Sequence, residues 1–273
     1  MEQGPMTLAR TLAVAGLPTL ILAGAARAQQ PLVADRPDFT EGPVTVGLGA
    51  AQIELGYTFG RDRGGPTVTT HSLGEPLVRL GVLAEWLELR VGTGLVARRT
   101  QINGGGLTKS GFEDLYVGFK LALSEQNGAM PALGILPQAT FPTGSDPFSS
   151  GQVLPGLNLV YSWDVAESFS LAGGTQVNRA VGESGDAVAE WAQSLSGGIG
   201  LGDRHGLFCE WFAVFDGGPG GMQAAEHYAN TGLTWLLMDD LQWDIRVGVG
   251  LNDRAEDVFF GTGFALRLLG PQG

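Results

Sequence analysis

The feature that most constrains this chain is a two-residue alternation of apolar with polar or small side chains, sustained over segments of about ten residues. Leu87-Glu88-Leu89-Arg90-Val91-Gly92-Thr93-Gly94-Leu95 places apolar residues at nearly every odd position. Leu241-Gln242-Trp243-Asp244-Ile245-Arg246-Val247-Gly248-Val249-Gly250-Leu251 repeats the pattern. Side chains of a strand point alternately to opposite faces, so each segment has one apolar face and one polar or small face. Beyond the N-terminus no apolar run is long enough for a membrane helix. A membrane protein built this way must be a closed barrel, because an open sheet edge in lipid leaves backbone groups unpaired.

Twelve alternating segments are predicted, at 50–59, 73–82, 87–97, 113–123, 131–141, 156–163, 168–177, 189–201, 206–215, 228–237, 241–251 and 257–268. Most have the length that a tilted transmembrane strand needs. Connections after the even-numbered segments are short, such as Ala84–Trp86 and Met238–Asp240, whereas 60–72, 98–112 and 142–155 are longer and polar. Outer-membrane barrels show this asymmetry, with short periplasmic turns and long outer loops. Aromatics fall near both rims: Trp86, Trp163, Phe169 and Trp243 at one, Tyr57, Phe59, Phe141, Trp191 and Phe215 at the other. The expected fold is an all-β, antiparallel up-and-down transmembrane β-barrel of about 12 strands. The competing fold is a soluble β-sandwich, which also alternates but turns its apolar faces inward.

The N-terminus reads as a targeting segment. Arg10 precedes an apolar run from Leu12 to Ala26, and Ala26-Arg27-Ala28 fits a small-x-small cleavage site. The expected organisation is a signal peptide over 1–28, a periplasmic lead-in over 29–47 and the barrel over 48–269. Export to the outer membrane of a Gram-negative-type cell follows from that reading. The chain carries 28 acidic and 16 basic residues, a net charge of −12, and removing 1–28 makes it more acidic. That balance argues against nucleic acid as a partner. Cys209 stands alone and can form no internal disulfide.

Catalytic and cofactor motifs are missing. The glycine stretches at 104–106 and 217–221 lack the Gly-Lys-Ser/Thr of a phosphate loop. His71, His205 and His227 fall in or beside loops without metal-ligand spacing. Asp253, Glu256 and Asp257 read as a solvated loop before they read as a calcium site. No enzyme, metal or cofactor is expected. If the apolar faces meet lipid, the other faces line the lumen. The lumen-lining candidates are Glu54, Arg79, Glu88, Arg90, Asp114, Lys120, Asp244 and Arg246. Such rings of charge bias ion passage, and Glu54 and Asp114 are expected to lean it weakly toward cations.

Several short motifs occur in a telling order. Asp35-Arg36-Pro37-Asp38-Phe39-Thr40-Glu41-Gly42 precedes the first segment, and Gln52-Ile53-Glu54-Leu55-Gly56-Tyr57 opens it. Gly111-Phe112-Glu113-Asp114-Leu115-Tyr116-Val117-Gly118-Phe119-Lys120 begins the fourth, and Phe141-Pro142-Thr143-Gly144 ends the fifth. Together they resemble the transporters grouped as the "meta-pathway of phenol degradation" family, over nearly the whole mature chain. The resemblance implies an outer-membrane channel or transporter for small molecules, aromatic or hydrophobic compounds among them, with outer-membrane lipid and such solutes as its partners. The alternatives are a structural or surface-interaction barrel with a blocked lumen and, behind it, a membrane-embedded lipid enzyme. For Arg36, Pro37, Asp38 and Phe39 the expectation is a structured lead-in packed under the barrel. Its rival is a plug or gate in which Arg36 pairs with a lumen acid.

Overall fold

The computed structural model describes residues 32–102, 105–182, 185–215, 217 and 225–270. The signal-peptide reading of 1–28 lies outside the described residues, as do Gly104 and residues 218–221. Strands in chain order are β1 (Ala51–Asp62), β2 (Thr67–Gly81), β3 (Leu87–Gly92), β4 (Leu95–Ile102), β5 (Gly105–Phe112), β6 (Leu115–Ser124) and β7 (Ala132–Phe141). They continue as β8 (Leu154–Ala166), β9 (Phe169–Val181), β10 (Ala187–Gly200), β11 (His205–Phe215), β12 (Glu226–Met238), β13 (Leu241–Gly250) and β14 (Val258–Leu269). β3 and β4 are two halves of one bent stave, and so are β5 and β6. The result is a 12-stave antiparallel barrel, closed where β1 pairs with both β2 and β14.

Burial decides between lipid and water outside. The largest fully buried side chains include Arg79, Arg90, Lys120, Glu54, Glu88 and Asp244. Leu195, Trp211, Leu233, Trp235, Val247, Val249, Phe260 and Phe264 are exposed on the outer wall. A soluble sandwich would have the reverse arrangement. Along β10, buried Ser194 and Ser196 flank Leu195, which is 50% exposed, so the face assignment follows the alternation residue by residue. Trp86 and Phe169 near one rim, and Phe141 and Trp191 near the other, are exposed as interface aromatics are.

The wall breaks along one line. Thr93-Gly94 separates β3 from β4, and Glu113-Asp114 separates β5 from β6. On β2 the same level is marked by Gly74, at φ 79°, and Glu75, at φ 36°. Gly74 adopts this left-handed backbone without the steric cost of a Cβ. The breaks are stitched by Thr93 N–H to the Pro76 carbonyl at 3.3 Å and Glu113 N–H to the Gly94 carbonyl at 2.9 Å. Above the line, β4 and β5 form a hairpin whose far edge no strand covers among the described residues. Loop 142–153 seals its base: Phe112 N–H donates to Ser145 Oγ at 2.7 Å and Leu115 N–H to Thr143 Oγ1 at 3.0 Å.

Two predicted long loops are therefore mostly strand. β1 reaches Asp62 and β2 starts at Thr67, while β4 and β5 cover most of 98–112. Beyond the membrane both faces meet water, so the apolar alternation stops while backbone pairing continues.

Candidate functional site

The lead-in is not beneath the barrel. Residues 35–46 lie inside it, folded as an inward loop that enters and leaves from the short-turn end. At the exit, Thr45 Oγ1 donates to the Glu85 carbonyl at 2.5 Å and Val46 N–H to Glu88 at 2.9 Å. Gly49 N–H then bonds the Gly81 carbonyl at 2.9 Å, which leads the chain into β1.

Charge pairing places the loop. On adjoining staves, Arg79 stands directly opposite Arg90 in the β2–β3 register. Like charges in that position repel, and wall acids offset only part of the repulsion. Glu88 accepts from Arg79 Nε at 2.7 Å, and Glu54 accepts from Arg79 Nη1 at 2.9 Å. Asp35 completes the set, receiving Lys120 Nζ at 2.8 Å and pairing with Arg90 and Arg79. Glu41 pairs with Arg90 as well. Burial works to raise the pKa of Asp35, but Arg79, Lys120 and Arg90 outweigh it and hold the carboxyl far below the usual range.

The other contacts ring the loop. Glu54 accepts the backbone N–H groups of Asp35 and Arg36, both at 3.1 Å. Arg36 reaches Glu75 at 3.0 Å and Asp244 at 3.3 Å, the pairing with a lumen acid that the gate alternative requires. Arg246 Nη1 donates to the Pro37 carbonyl at 2.8 Å. Glu210 accepts from Phe39 N–H at 2.9 Å and Thr40 N–H at 2.6 Å. Thr40 Oγ1 and Ser194 Oγ are 2.8 Å apart. The Phe39 ring stacks on Phe212, centroids 4.5 Å apart, beside Tyr228 and Phe259. Burial, joined by the charge of Glu210, pushes the pKa of Asp38 well above its ordinary value.

The loop thus touches opposite walls and divides the interior. On the short-turn side is a cavity of about 920 Å³, lined by Leu32, Pro37, Phe169, Phe208, Thr234 and Gln242 among others. On the outer side is one of about 780 Å³, lined by Phe39, Glu41, Arg90, Tyr116, Asn158 and Glu190 among others. A smaller space of about 270 Å³ lies beside the loop, between Arg36, Phe39, Glu54 and Arg246.

Of the lumen candidates, Glu54, Arg79, Glu88, Arg90, Lys120 and Asp244 are buried within the barrel and Arg246 is half-buried there. Asp114 is different. It sits in the break between β5 and β6 and clamps loop 142–153, accepting from Gly144 N–H at 3.0 Å and Ser150 N–H at 2.8 Å. It belongs to the loop anchor at the level of the breaks, where it also lines a cavity of about 410 Å³. Among the described residues there is no group of three metal-ligating side chains, and Asp257 is engaged by Arg63.

The family model described as "Putative MetA-pathway of phenol degradation" matches residues 34–268. The chain belongs to that family. The phenol-degradation family match begins at Ala34, so it takes in the inward loop together with the barrel. An outer membrane channel of Pseudomonas putida F1 aligns with TM-score 0.66 at 14% identity, covering 82% of this chain and 97% of the other. The translocator domain of autotransporter NalP from Neisseria meningitidis aligns at 0.52 and 13% identity, covering 81% and 89%. The transport unit of autotransporter AIDA-I from Escherichia coli aligns at 0.52 and 10%, covering 81% and 90%. No curated protein matches the chain. The fold is thus that of outer-membrane barrels.

Sequence reasoning gave Asp35, Glu41 and Glu210 no individual role: Asp35 and Glu41 read only as part of the lead-in motif, and Glu210 as one more inner-face acid. The available signal was ionic: Arg79, Arg90 and Lys120 lie on neighbouring staves, and among the described wall acids only Glu54 and Glu88 stand within ion-pair distance of Arg79 and Arg90.

Proposed function

We propose that this protein is an outer-membrane channel for small molecules, closed in the present state by its own lead-in. One observation carries the reading: two cavities of about 920 and 780 Å³ stand on either side of a single loop. Both lie in the size range of small-molecule sites. Membership of the phenol-degradation family supports aromatic or hydrophobic compounds as the solutes. The mixed linings agree, with Phe39 and Tyr116 beside Asn158, Gln138 and Gln176 in the outer cavity. Transport requires the loop to shift, because it lies between the cavities.

The dense ion pairing of Asp35 favours a second reading, a permanently blocked structural barrel. A reversible cross-link separates the two. In a Cys209→Ser background, Thr40→Cys and Ser194→Cys join the loop to β10. Oxidised protein in lipid vesicles is expected to pass neither inorganic ions nor the bilayer-impermeant aromatic benzenesulfonate, and reduction is expected to restore passage. Silence in both states supports the blocked barrel. Equal passage in both states shows that the loop does not gate.

A further inference from the structure

Above the line of breaks, the inner face of the β4–β5 hairpin carries Arg98 and Lys109 directly opposite one another, with Thr100 opposite Leu107. Pro147 and Phe148, from the loop after β7, stand across from them. These six residues, with Gly105 and Gly106, line a cavity of about 590 Å³ at the outer mouth. The Arg98 guanidinium carbon is 6.0 Å from the Phe148 ring centroid. Neither Arg98 nor Lys109 forms an ion pair among the described residues, although Glu113 and Glu256 feel the charge of Arg98. The buried lumen cations Arg79, Arg90 and Lys120 are all paired.

Phe148 is shared. It also lines the outer lumen cavity and a cavity of about 410 Å³ at the breaks. Its position is fixed by its own N–H to the Ser145 carbonyl at 2.7 Å. The loop seats against Gly111, where an added Cβ would come within 2.4 Å of Ser145 Oγ and 3.0 Å of the Phe148 ring. Phe148 thus stands between the mouth cavity and the outer lumen cavity as a wall common to both.

We propose that this mouth cavity is an entry subsite for aromatic carboxylates. The carboxylate lies between Arg98 and Lys109, and the ring packs on Phe148 and Leu107. Guanidinium groups bind carboxylates through strong, directional hydrogen bonds, and an aromatic ring beside them supplies apolar contact area. The whole chain is acidic, with net charge −12, and would otherwise repel an anion. Two inward cations at the mouth reverse that field where a solute arrives. A neutral arene satisfies only the ring contact, and a short aliphatic acid satisfies only the cations. The capture step stands by itself; onward passage rests on the channel reading above.

The test uses the whole barrel in lipid nanodiscs, with benzoate, benzyl alcohol and acetate as probes in saturation-transfer NMR and titration calorimetry. Benzoate is expected to bind saturably and about tenfold more tightly than either of the others. Arg98→Gln or Lys109→Gln should each weaken benzoate about tenfold while leaving benzyl alcohol unchanged. Phe148→Leu should weaken both aromatic probes. Heat-modifiable gel migration verifies folding, and Lys109→Gln, on an exposed hairpin, gives a second reading if Arg98→Gln misfolds. Three results overturn the proposal: no saturable benzoate binding, no preference over benzyl alcohol, or unchanged binding in the folded cation variants. Uptake of bilayer-impermeant benzenesulfonate by vesicles, with protein-free vesicles as the control, is measured in parallel. Charge-dependent binding without any uptake removes the channel reading and keeps the subsite, whereas uptake with no such binding does the opposite.

Discussion

Asp35 gathers Lys120, Arg90 and Arg79 around one buried carboxylate, so its loss leaves Lys120 without its ion-pair partner among the described residues and Arg79 and Arg90 with one anion fewer, Glu54, Glu88 and Glu41 remaining. Breaking a buried ion pair from one side costs about 3–5 kcal/mol. Asp35→Asn is therefore expected to lower the thermal stability of the folded barrel and to raise its conductance in planar bilayers, because the loop loses its deepest anchor. Unchanged melting and conductance would sink the idea of a charge lock. Asp38 carries the opposite shift. Its pKa is raised by burial and by the charge of Glu210, so it favours docking while protonated. That contribution is complete below the unfolded value of about 3.9 and is lost as pH rises through the higher folded value. The Phe39–Thr40 end should thus loosen with rising pH. Hydrogen exchange of the Phe39 and Thr40 amides should speed up with pH beyond its intrinsic dependence, and Asp38→Asn should abolish the excess. Gly248 teaches what alternation leaves out. Its inward position is legible in the sequence and suggests that a serine would be mild. Yet the Phe259 ring lies 2.0 Å from where a Cβ would be. Overpacking of this kind costs about 1–3 kcal/mol, and Gly248→Ser is expected to destabilise more than Gly197→Ala, whose nearest contact is 3.7 Å away.

At the scale of strands, legibility tracks the solvent. Within the membrane, lipid outside and polar residues inside force a period of two, and β7, β11 and β13 fall within a residue or so of their expected limits. Outside it, Thr67-Val68-Thr69-Thr70 and Arg98-Arg99-Thr100-Gln101 are strands with water on both sides, and no hydrophobic contrast marks them. Threonine's β-preference was the remaining signal there. The lead-in was legible only as a motif, because its place depends on charges contributed by β1, β2, β3 and β6 together. The contrast between zones is testable. Val247 is exposed on the outer wall of β13. Val247→Arg is expected to cost about 2–4 kcal/mol of folding in bilayers, as a cation at the lipid midplane does. Gln101→Arg, on the exposed β4 tip, should cost nothing measurable in the same urea titration. Equal tolerance of both would mean that the wall is not lipid-facing at β13.

Across the whole molecule the two ends differ in shape, and that sets the orientation. One end is low, with β12 and β13 joined through Asp239 and Asp240 alone and β8 and β9 through Glu167 and Ser168. The other end rises into the β4–β5 hairpin, eight residues in each arm. At about 3.3 Å per residue each arm spans up to roughly 26 Å of strand beyond the breaks. Barrels of this class keep their short turns in the periplasm, so the hairpin faces outward. On that orientation, which we propose, the lead-in enters the lumen from the periplasmic side. In a Cys209→Ser background, cysteine at Gly105 is expected to react with an impermeant maleimide on intact cells. Cysteine at Asp239 should react only after the outer membrane is permeabilised. The lone native thiol needs removal because Cys209 is exposed on the wall. Labelling of Asp239→Cys but not Gly105→Cys on intact cells would invert the barrel. It would also move the mouth cavity to the periplasm, where it could not be an entry point from outside.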